Sequence, residues 1–305
     1  MPTLSIGLPN FGSWFADLRQ LVGAAADLEG AGVDRVVLVD HVVLGPDPDS
    51  YPWGRFPTGS DGDWHEPLTA LAAIAATTEQ LRLGTGILVA ALRPAAVLAK
   101  TVATLDALSG GRVDLGVGVG WQRAEFDAVG LDFDQRGRLL DDVIGACRAL
   151  WEQSPGHFDS HSIAFDQVWC HPKPVQERLP VLFAGTLGAR NLRRIVQLGD
   201  GWIPIMGANL DQVADGAVRL REAWLAAGRH GQPHVRVPLP LVRTDHGGLA
   251  LTATAALIPK VLAAGATELS VSAQSLARPG DVAGLVDRAR SLAELVGASA
   301  VDPVT

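Results

Sequence analysis

Cysteine is scarce in this chain, and its scarcity removes several classes of protein from consideration. The 305 residues include two cysteines, Cys147 and Cys170, which have neither CxxC spacing nor a framework of further partners. A disulfide scaffold and a cysteine-based zinc site are therefore excluded. Cys147 falls on the apolar face of a predicted helix, so we expect it to be a buried core thiol.

Long basic stretches and long apolar stretches are also missing. The net charge is −8, and no basic stripe is long enough to follow a phosphate backbone, which argues against nucleic acid as a partner. No apolar run approaches the roughly 18 residues that would span a bilayer. The start of the chain lacks the basic and apolar regions of a secretion signal. We therefore expect a cytoplasmic protein with no membrane partner.

Motifs of metal and nucleophile chemistry are absent as well. His65-Glu66 does not extend to HExxH, and the sequence contains neither a GxSxG nucleophile elbow nor a P-loop. His157 and His161 fall in a predicted hairpin without a carboxylate pattern beside them. We expect no metal site.

The chain does contain a regular alternation of strand-like and helix-like runs over a composition that is 48% hydrophobic. This alternation predicts an α/β protein with a parallel sheet. Eight such units predict closure into a (β/α)8 TIM barrel, which we expect to form one domain over residues 1–305. The predicted strands cover residues 4–8, 35–39, 82–89, 113–119, 180–184, 201–205, 236–241 and 268–272.

Helices are predicted between and after these strands, together with three insertions. A typical barrel needs roughly 250 residues, and the surplus lies after the second strand (40–66), after the fourth (120–137) and before the fifth (153–179). The last insertion contains the predicted hairpin, with residues 157–158 against 163–165. The predicted helices cover residues 17–31, 67–78, 94–109, 138–151, 189–198, 210–227, 249–264 and 281–296.

Active sites of such barrels lie at the carboxyl ends of the strands, so the residues that follow each strand carry the most weight. The second strand ends in Asp40 and His41. An imidazole there can give or take a proton during a redox step. The alternative, which the position alone does not separate, is that Asp40 caps the loop and His41 is a hydrogen-bonded rim residue.

Glycines recur in the third and fourth strands. Thr85 lies between two glycines, Gly84 and Gly86, and glycine inside a strand often marks the close approach of a ligand or of another backbone. In the fourth strand one face is apolar, whereas the other carries Asp114, Gly116, Gly118 and Gly120. We expect that face to leave room for something flat. A dinucleotide fingerprint is rejected because its third glycine would fall on Trp121.

The fifth predicted strand is followed by a short glycine-containing loop and then a helix. Gly185, Thr186, Leu187 and Gly188 would present free backbone N–H groups at the helix N-terminus, where phosphate binds well. The arginines 190, 193 and 194 then either meet extra anionic charge or form a solvated face. In the long loop after the second strand, aromatic residues either wall a substrate pocket or anchor the loop, namely Tyr51, Trp53, Phe56 and Trp64.

Several of these segments together resemble the luciferase-like monooxygenase family, in particular its branch that depends on deazaflavin (coenzyme F420). The resemblance covers roughly residues 4–206. It is carried, in order, by IGLPNFG (6–12), VDH (39–41), LGTGILV (83–89), LDALSGGR (105–112) with LGVGVGW (115–121), CHPKPVQ (170–176) and LGDGW (198–202).

The resemblance implies a cofactor ring above the strand ends, with His41 as the acid/base and Asp40 in contact with the ring. It also implies a cis peptide bond between Gly86 and Ile87, a phosphate cradle at residues 185–188 and a homodimer. We assign the residues of these matched motifs to cofactor binding, namely Asp40, Thr85, Gly86, Ile87, Gly118, Gly120, Trp121, Gly185, Thr186, Leu187 and Gly188.

One position departs from the family pattern. Sugar-phosphate dehydrogenases of this family have a catalytic glutamate where this chain has Trp121, which argues against that substrate. Glu125, one helical turn later, is our candidate for the second catalytic acid/base.

Three functions remain open from the sequence. The first is an F420-dependent oxidoreductase that transfers a hydride to or from a small organic substrate. The second is an FMN-dependent monooxygenase that uses molecular oxygen and a partner flavin reductase. The third is a non-catalytic protein that binds a flavin or a deazaflavin.

Overall fold

A computed structural model describes residues 1–299, and their fold is built around eight parallel strands. Two further strands form a separate antiparallel hairpin. In chain order the strands are β1 (Thr3–Gly7), β2 (Arg35–Leu38), β3 (Arg82–Thr85), β4 (Val113–Val117), β5 (Gly156–Asp159), β6 (Ala164–Val168), β7 (Val181–Gly185), β8 (Gly201–Pro204), β9 (His234–Pro238) and β10 (Glu268–Ser272).

The barrel closes in the order β1-β10-β9-β8-β7-β4-β3-β2. The first strand pairs on one side with β2 and on the other with β10, so that no edge remains. This arrangement confirms the predicted TIM barrel. The hairpin β5–β6 forms within the insertion that precedes β7, with Phe158 opposite Phe165, as the sequence predicts.

The helices lie between the strands. They are α1 (Leu18–Gly30), α2 (Pro67–Ala75), α3 (Ala95–Ser109), α4 (Arg123–Ala128), α5 (Arg136–Glu152), α6 (Ala189–Leu198), α7 (Leu210–Ala226), α8 (Leu251–Ala255), α9 (Ile258–Ala263), α10 (Ala273–Leu276) and α11 (Val282–Ala298). Over residues 1–299, no helix is long and apolar enough to cross a membrane. Cys147 is fully buried on α5, as expected, and burial raises the pKa of its thiol.

Two predicted elements are wrong in their extent. The helix predicted over residues 249–264 is two helices, α8 and α9, because Pro259 has no N–H to continue the hydrogen-bond ladder of the first. The strand predicted over 82–89 ends at Thr85 and is followed by a bulge and a 3-10 turn at Ala90–Leu92. The backbone returns to the sheet at Leu88, whose N–H donates to the carbonyl of Gly116 at 2.7 Å.

The amino-terminal half of the barrel interior contains a buried cluster of ion pairs. Asp114 on β4 accepts hydrogen bonds from Arg35 at 2.9 Å and from Arg236 at 2.8 Å. Glu268 on β10 accepts from the same two arginines. Burial alone would raise the pKa of both carboxyl groups, but the arginines outweigh burial and hold these pKa values below their usual range. The two buried arginines therefore balance the two buried carboxylates, and the partly exposed Arg82 also donates to Asp114, at 3.2 Å.

Candidate active site

His41 lies just beyond β2, at the carboxyl end of the barrel. The preceding backbone is held by Asn10, whose side chain accepts from the N–H of Val39 at 3.0 Å and donates to its carbonyl at 2.8 Å. Nδ1 of His41 is 3.1 Å from Oε2 of Glu125. The other oxygen of Glu125 accepts the N–H of Val42 at 2.9 Å. The structure thus brings together the two residues predicted to be catalytic.

This pairing determines which nitrogen of His41 can exchange a proton. Glu125 is fully buried at the start of α4, and as a carboxylate it only accepts hydrogen bonds. Nδ1 of His41 must then carry the proton that faces Glu125. Nε2 is therefore the nitrogen that is free to exchange a proton. It carries a lone pair in the neutral ring and an N–H in the protonated ring.

Asp40 has its carboxylate turned into the protein. Its two oxygens accept hydrogen bonds from both terminal nitrogens of Arg93, at 2.7 and 3.0 Å. One of them also accepts a hydrogen bond from the N–H of Val89 at 2.9 Å. Arg93 also donates to Glu66 at 2.8 Å. Burial alone would lower the pKa of Arg93, but Asp40 and Glu66 raise it above its usual value. Sequence reasoning missed Arg93, which ties the loop after β2 to the segment after β3.

The peptide bond between Gly86 and Ile87 is cis, as the resemblance implies. The glycine-lined face of β4 does not leave the open space that we expected. A side chain on Gly116 would meet the Thr85 carbonyl at 2.2 Å, and one on Gly118 would meet Ile87 at 2.5 Å. These glycines are needed because neighbouring backbone and side chains already fill the barrel interior there. The Thr85 hydroxyl is also buried and donates to the Gly116 carbonyl at 2.8 Å.

Aromatic rings from the loop after β2 cover His41. Its ring centroid is 4.6 Å from Trp64, 5.2 Å from Phe56 and 5.9 Å from Trp121. Tyr51 adds a ring 5.2 Å from Trp121. The side chain of His41 is only 9% exposed as a result. The aromatic residues of the loop therefore have both of the roles that the sequence left open, because they anchor the loop and line the site.

This loop also reaches across the mouth of the barrel. The Tyr51 hydroxyl lies 4.0 Å from the sulfur of Met206, in the loop after β8. Burial raises the pKa of Tyr51, which keeps its hydroxyl protonated at neutral pH. A cavity of about 740 Å³ lies beside the loop, with Phe11 and His65 among its lining residues, and it does not include His41.

Two buried hydrogen-bond donors in this region have no protein acceptor. One is the indole nitrogen Nε1 of Trp121, and the other is the amide nitrogen Nε2 of Gln122, the N-cap residue of α4. Buried donors are nearly always paired, so these two exceptions need an explanation, and an incoming hydrogen-bond acceptor is one. The sequence analysis predicted Trp121 as a site residue and missed Gln122. The only sequence signal for Gln122 is its position directly after Trp121.

The loop after β7 leaves the start of α6 open. Gly185 has a φ of 121°, and Gly188 is an N-cap residue without a side-chain hydrogen bond to the helix. Thr186 and Gly188 are exposed, and a side chain on Gly188 would meet nothing within 4 Å. Free N–H groups and the positive end of the helix dipole face solvent here, an arrangement that suits a phosphate group. Leu187 is buried and anchors the loop.

The three arginines of α6 do not form one solvated face. Arg190 and Arg193 are exposed, whereas Arg194 is buried and its guanidinium donates to Asp141 on α5. Arg194 therefore joins two helices and is not available to a ligand. Within residues 1–299, no three His, Cys, Asp or Glu side chains are grouped so that they would hold a metal ion.

Comparison with known proteins identifies the family. The luciferase-like monooxygenase family model matches residues 5–299, and the chain belongs to this family of oxidoreductases and monooxygenases. An uncharacterised protein of Mycobacterium tuberculosis is 37% identical over 171 residues, which are 56% of this chain and 60% of that protein. The chain thus aligns with less than two thirds of that relative's length.

The proteins to which this chain is similar differ in cofactor. An FMNH2-dependent dimethylsulfone monooxygenase of Pseudomonas putida is 36% identical over 135 residues, which are 43% of this chain and 37% of that enzyme. The structure of an F420-dependent secondary alcohol dehydrogenase, in complex with an F420-acetone adduct, superposes with a TM-score of 0.76. It is 16% identical, and the match covers 97% of this chain and 99% of that one. At this identity the likeness shows a shared fold.

The residues present fit a phosphate-bearing flavin or deazaflavin. The uncapped start of α6 at Gly188 suits its phosphate. The start of α6 and His41 both follow strands of one parallel barrel, so they lie at the same end of it.

Proposed function

We propose that this protein is an F420-dependent oxidoreductase that transfers a hydride to or from a small organic substrate. The bound deazaflavin would supply the hydride chemistry, and His41 would supply or remove the accompanying proton through Nε2. The observation that carries the proposal is the 3.1 Å contact between Nδ1 of His41 and the fully buried Glu125. Glu125 orients His41 and balances its charge, and acts as a positioning residue.

The residues assigned to the cofactor have different tasks in this proposal. The start of α6, with Gly185, Thr186, Leu187 and Gly188, would bind the phosphate through backbone N–H groups. The bulge at Gly86 and Ile87 would support the ring, and Asp40 would hold that bulge in place through the N–H of Val89. Water would be excluded by the aromatic loop over His41.

The proposal is tested by parallel fluorescence titrations of the purified protein with coenzyme F420 and with FMN, followed by turnover assays. Binding of F420 in preference to FMN, with hydride transfer that depends on His41, would support it. Preference for FMN, or full activity of His41→Ala, would contradict it.

An FMN-dependent monooxygenase is the second candidate, favoured by the 36% identity to the FMNH2-dependent dimethylsulfone monooxygenase. It would need reduced flavin from a partner reductase and molecular oxygen. Oxygen consumption coupled to substrate hydroxylation would support this candidate, and turnover of either kind would exclude a purely non-catalytic cofactor carrier.

We also propose that the protein acts in the cytoplasm as a homodimer. On α3, Val97 and Leu108 are 59% and 55% exposed, and a second copy could cover such an apolar surface. Light scattering coupled to size exclusion would test this, and a monomer at micromolar concentration would contradict it.

A further inference from the structure

We propose that Trp121 and Gln122 form a donor pair that binds the doubly bonded oxygen of an uncharged substrate, such as a ketone, aldehyde, ester or amide. This inference rests on the proposed function because it names the substrate class of the same site. Nε1 of Trp121 and Nε2 of Gln122 are the two donors, and both are buried without an acceptor in the protein.

The orientation of Gln122 follows from one hydrogen bond. Its side-chain oxygen accepts the N–H of Gly45 at 2.5 Å. A backbone N–H can only donate, so the oxygen end of the amide must face Gly45. The NH2 end is therefore the unpaired end. Gln122 is 6% exposed, and this donor is shielded from water.

Trp121 places the second donor among aromatic rings. Its ring lies 5.9 Å from His41, 5.2 Å from Tyr51 and 5.5 Å from Phe56. A buried N–H without an acceptor destabilises the protein, whereas a ligand that brings an acceptor removes that penalty. Of these neighbouring rings only His41 can carry a positive charge, and it is already paired with Glu125 at 3.1 Å. The surroundings therefore suit a neutral oxygen better than a carboxylate or a phosphate.

Substrate is favoured over cofactor as the source of that oxygen because of what the donors contact. Both residues follow β4, and both contact the loop after β2, since Gln122 accepts a hydrogen bond from Gly45 and Trp121 packs on Tyr51 and Phe56. The open start of α6, which suits the cofactor phosphate, follows a different strand, β7. A substrate oxygen held by the pair would lie beside His41, where a proton can reach it.

The test uses full-length, ¹⁵N-labelled protein saturated with whichever of F420 or FMN it binds. The probes are cyclohexanone and acetophenone, each compared with its oxygen-free isostere, methylenecyclohexane or α-methylstyrene. The variants are Trp121→Phe, which removes one donor, and Gln122→Glu, which keeps the acceptor for Gly45 and replaces the NH2 group. Trp14→Phe is the matched control, because Trp14 also has a buried, unpaired indole N–H but packs against Phe15.

We expect one ketone or the other to move the indole N–H resonance of Trp121 downfield, while its isostere does not. Each site variant should weaken ketone binding about 5–30-fold, the range expected for a lost hydrogen bond, and Trp14→Phe should not change it. Cofactor affinity should stay the same in Gln122→Glu and Trp14→Phe, and in Trp121→Phe ketone binding should weaken by more than cofactor binding does.

Other outcomes would overturn the inference. They are no response to either ketone, equal binding of ketone and isostere, or variants that weaken cofactor binding and leave ketone binding intact. Failure of the wild-type protein to bind either cofactor would overturn the proposed function itself. Loss of the ketone effect alone, with cofactor binding retained, would overturn only the donor pair.

Discussion

Nδ1 of His41 lies 3.1 Å from Oε2 of Glu125, and the carboxylate of Glu125 is fully buried. A histidine held in this way has one defined tautomer and one free nitrogen. A second pair, His157 and Asp166, has the same 3.1 Å contact but is exposed on the β5–β6 hairpin. The two pairs differ in burial and surroundings, so they allow a matched comparison of what the buried pair contributes.

Glu125→Gln should lower kcat by about 10-fold or more, because the neutral amide neither selects the tautomer of His41 nor balances the charge of its protonated ring. His41→Ala should lower kcat by about 10²–10⁴-fold. Steady-state kinetics alongside cofactor titration would measure both, and cofactor affinity should change little. Asp166→Asn is the control and should behave as wild type. Wild-type turnover by Glu125→Gln would remove the positioning role.

Phe56→Ala should open the cover over His41 and lower the free energy of unfolding by about 3 kcal/mol, because a buried ring is lost. Trp53→Ala is the comparison, since Trp53 is 40% exposed, and it should change that free energy by less than about 0.5 kcal/mol. Urea denaturation of both variants would measure the difference. Equal stability of the two variants would show that the loop does not depend on Phe56.

Asp114→Asn should destabilise the barrel in a pH-dependent way. The folded state lowers the pKa of Asp114, so its carboxylate stabilises the fold above its ordinary pKa near ~4 and loses that effect as the pH falls through the folded pKa. At pH 7 the variant should lose about 3–5 kcal/mol, because Glu268 alone is left to balance the two buried arginines, Arg35 and Arg236.

The difference in the free energy of unfolding between wild type and Asp114→Asn should therefore become smaller below about pH 4. Urea denaturation at pH 7 and pH 3 would measure it, with the exposed Asp245→Asn as the control. A difference that is the same at both values would show that the ionised carboxylate is not the source of the stability.

Gly188→Asp should separate helix stability from cofactor binding. Gly188 has the extended backbone of an N-cap, with φ −76° and ψ 171°, and there is open space for a side chain. Aspartate caps helices well, so stability should stay the same or rise by a few tenths of a kcal/mol. Its charge would oppose a phosphate, and cofactor Kd should rise at least about 10-fold.

Gly188→Asn provides the control, because asparagine offers the same cap without the charge. Thermal unfolding and fluorescence titration of both variants would measure the two effects. If both variants bound the cofactor equally well and as tightly as wild type, the phosphate would have to bind elsewhere.

The strand order and much of the site could be predicted from the sequence. Alternating βα units, the Asp40-His41 pair and the glycine-bounded loop 185–188 are local patterns, and each is found at the carboxyl end of its strand. The predictions were wrong where one local sequence pattern is compatible with two kinds of tertiary packing. The glycines of β4 predict free space as readily as close packing, and only the positions of Thr85 and Ile87 show that the space is filled.

What the sequence by itself determined is therefore the alternation of elements, the closed barrel and the residues that follow each strand. The tertiary structure decided the partners of those residues. Arg93 is 53 positions from Asp40, and Glu125 is 84 positions from His41. Side chains so far apart along the chain meet because all the parallel strands end on the same side of the barrel, and no sequence periodicity encodes which loop then folds over which.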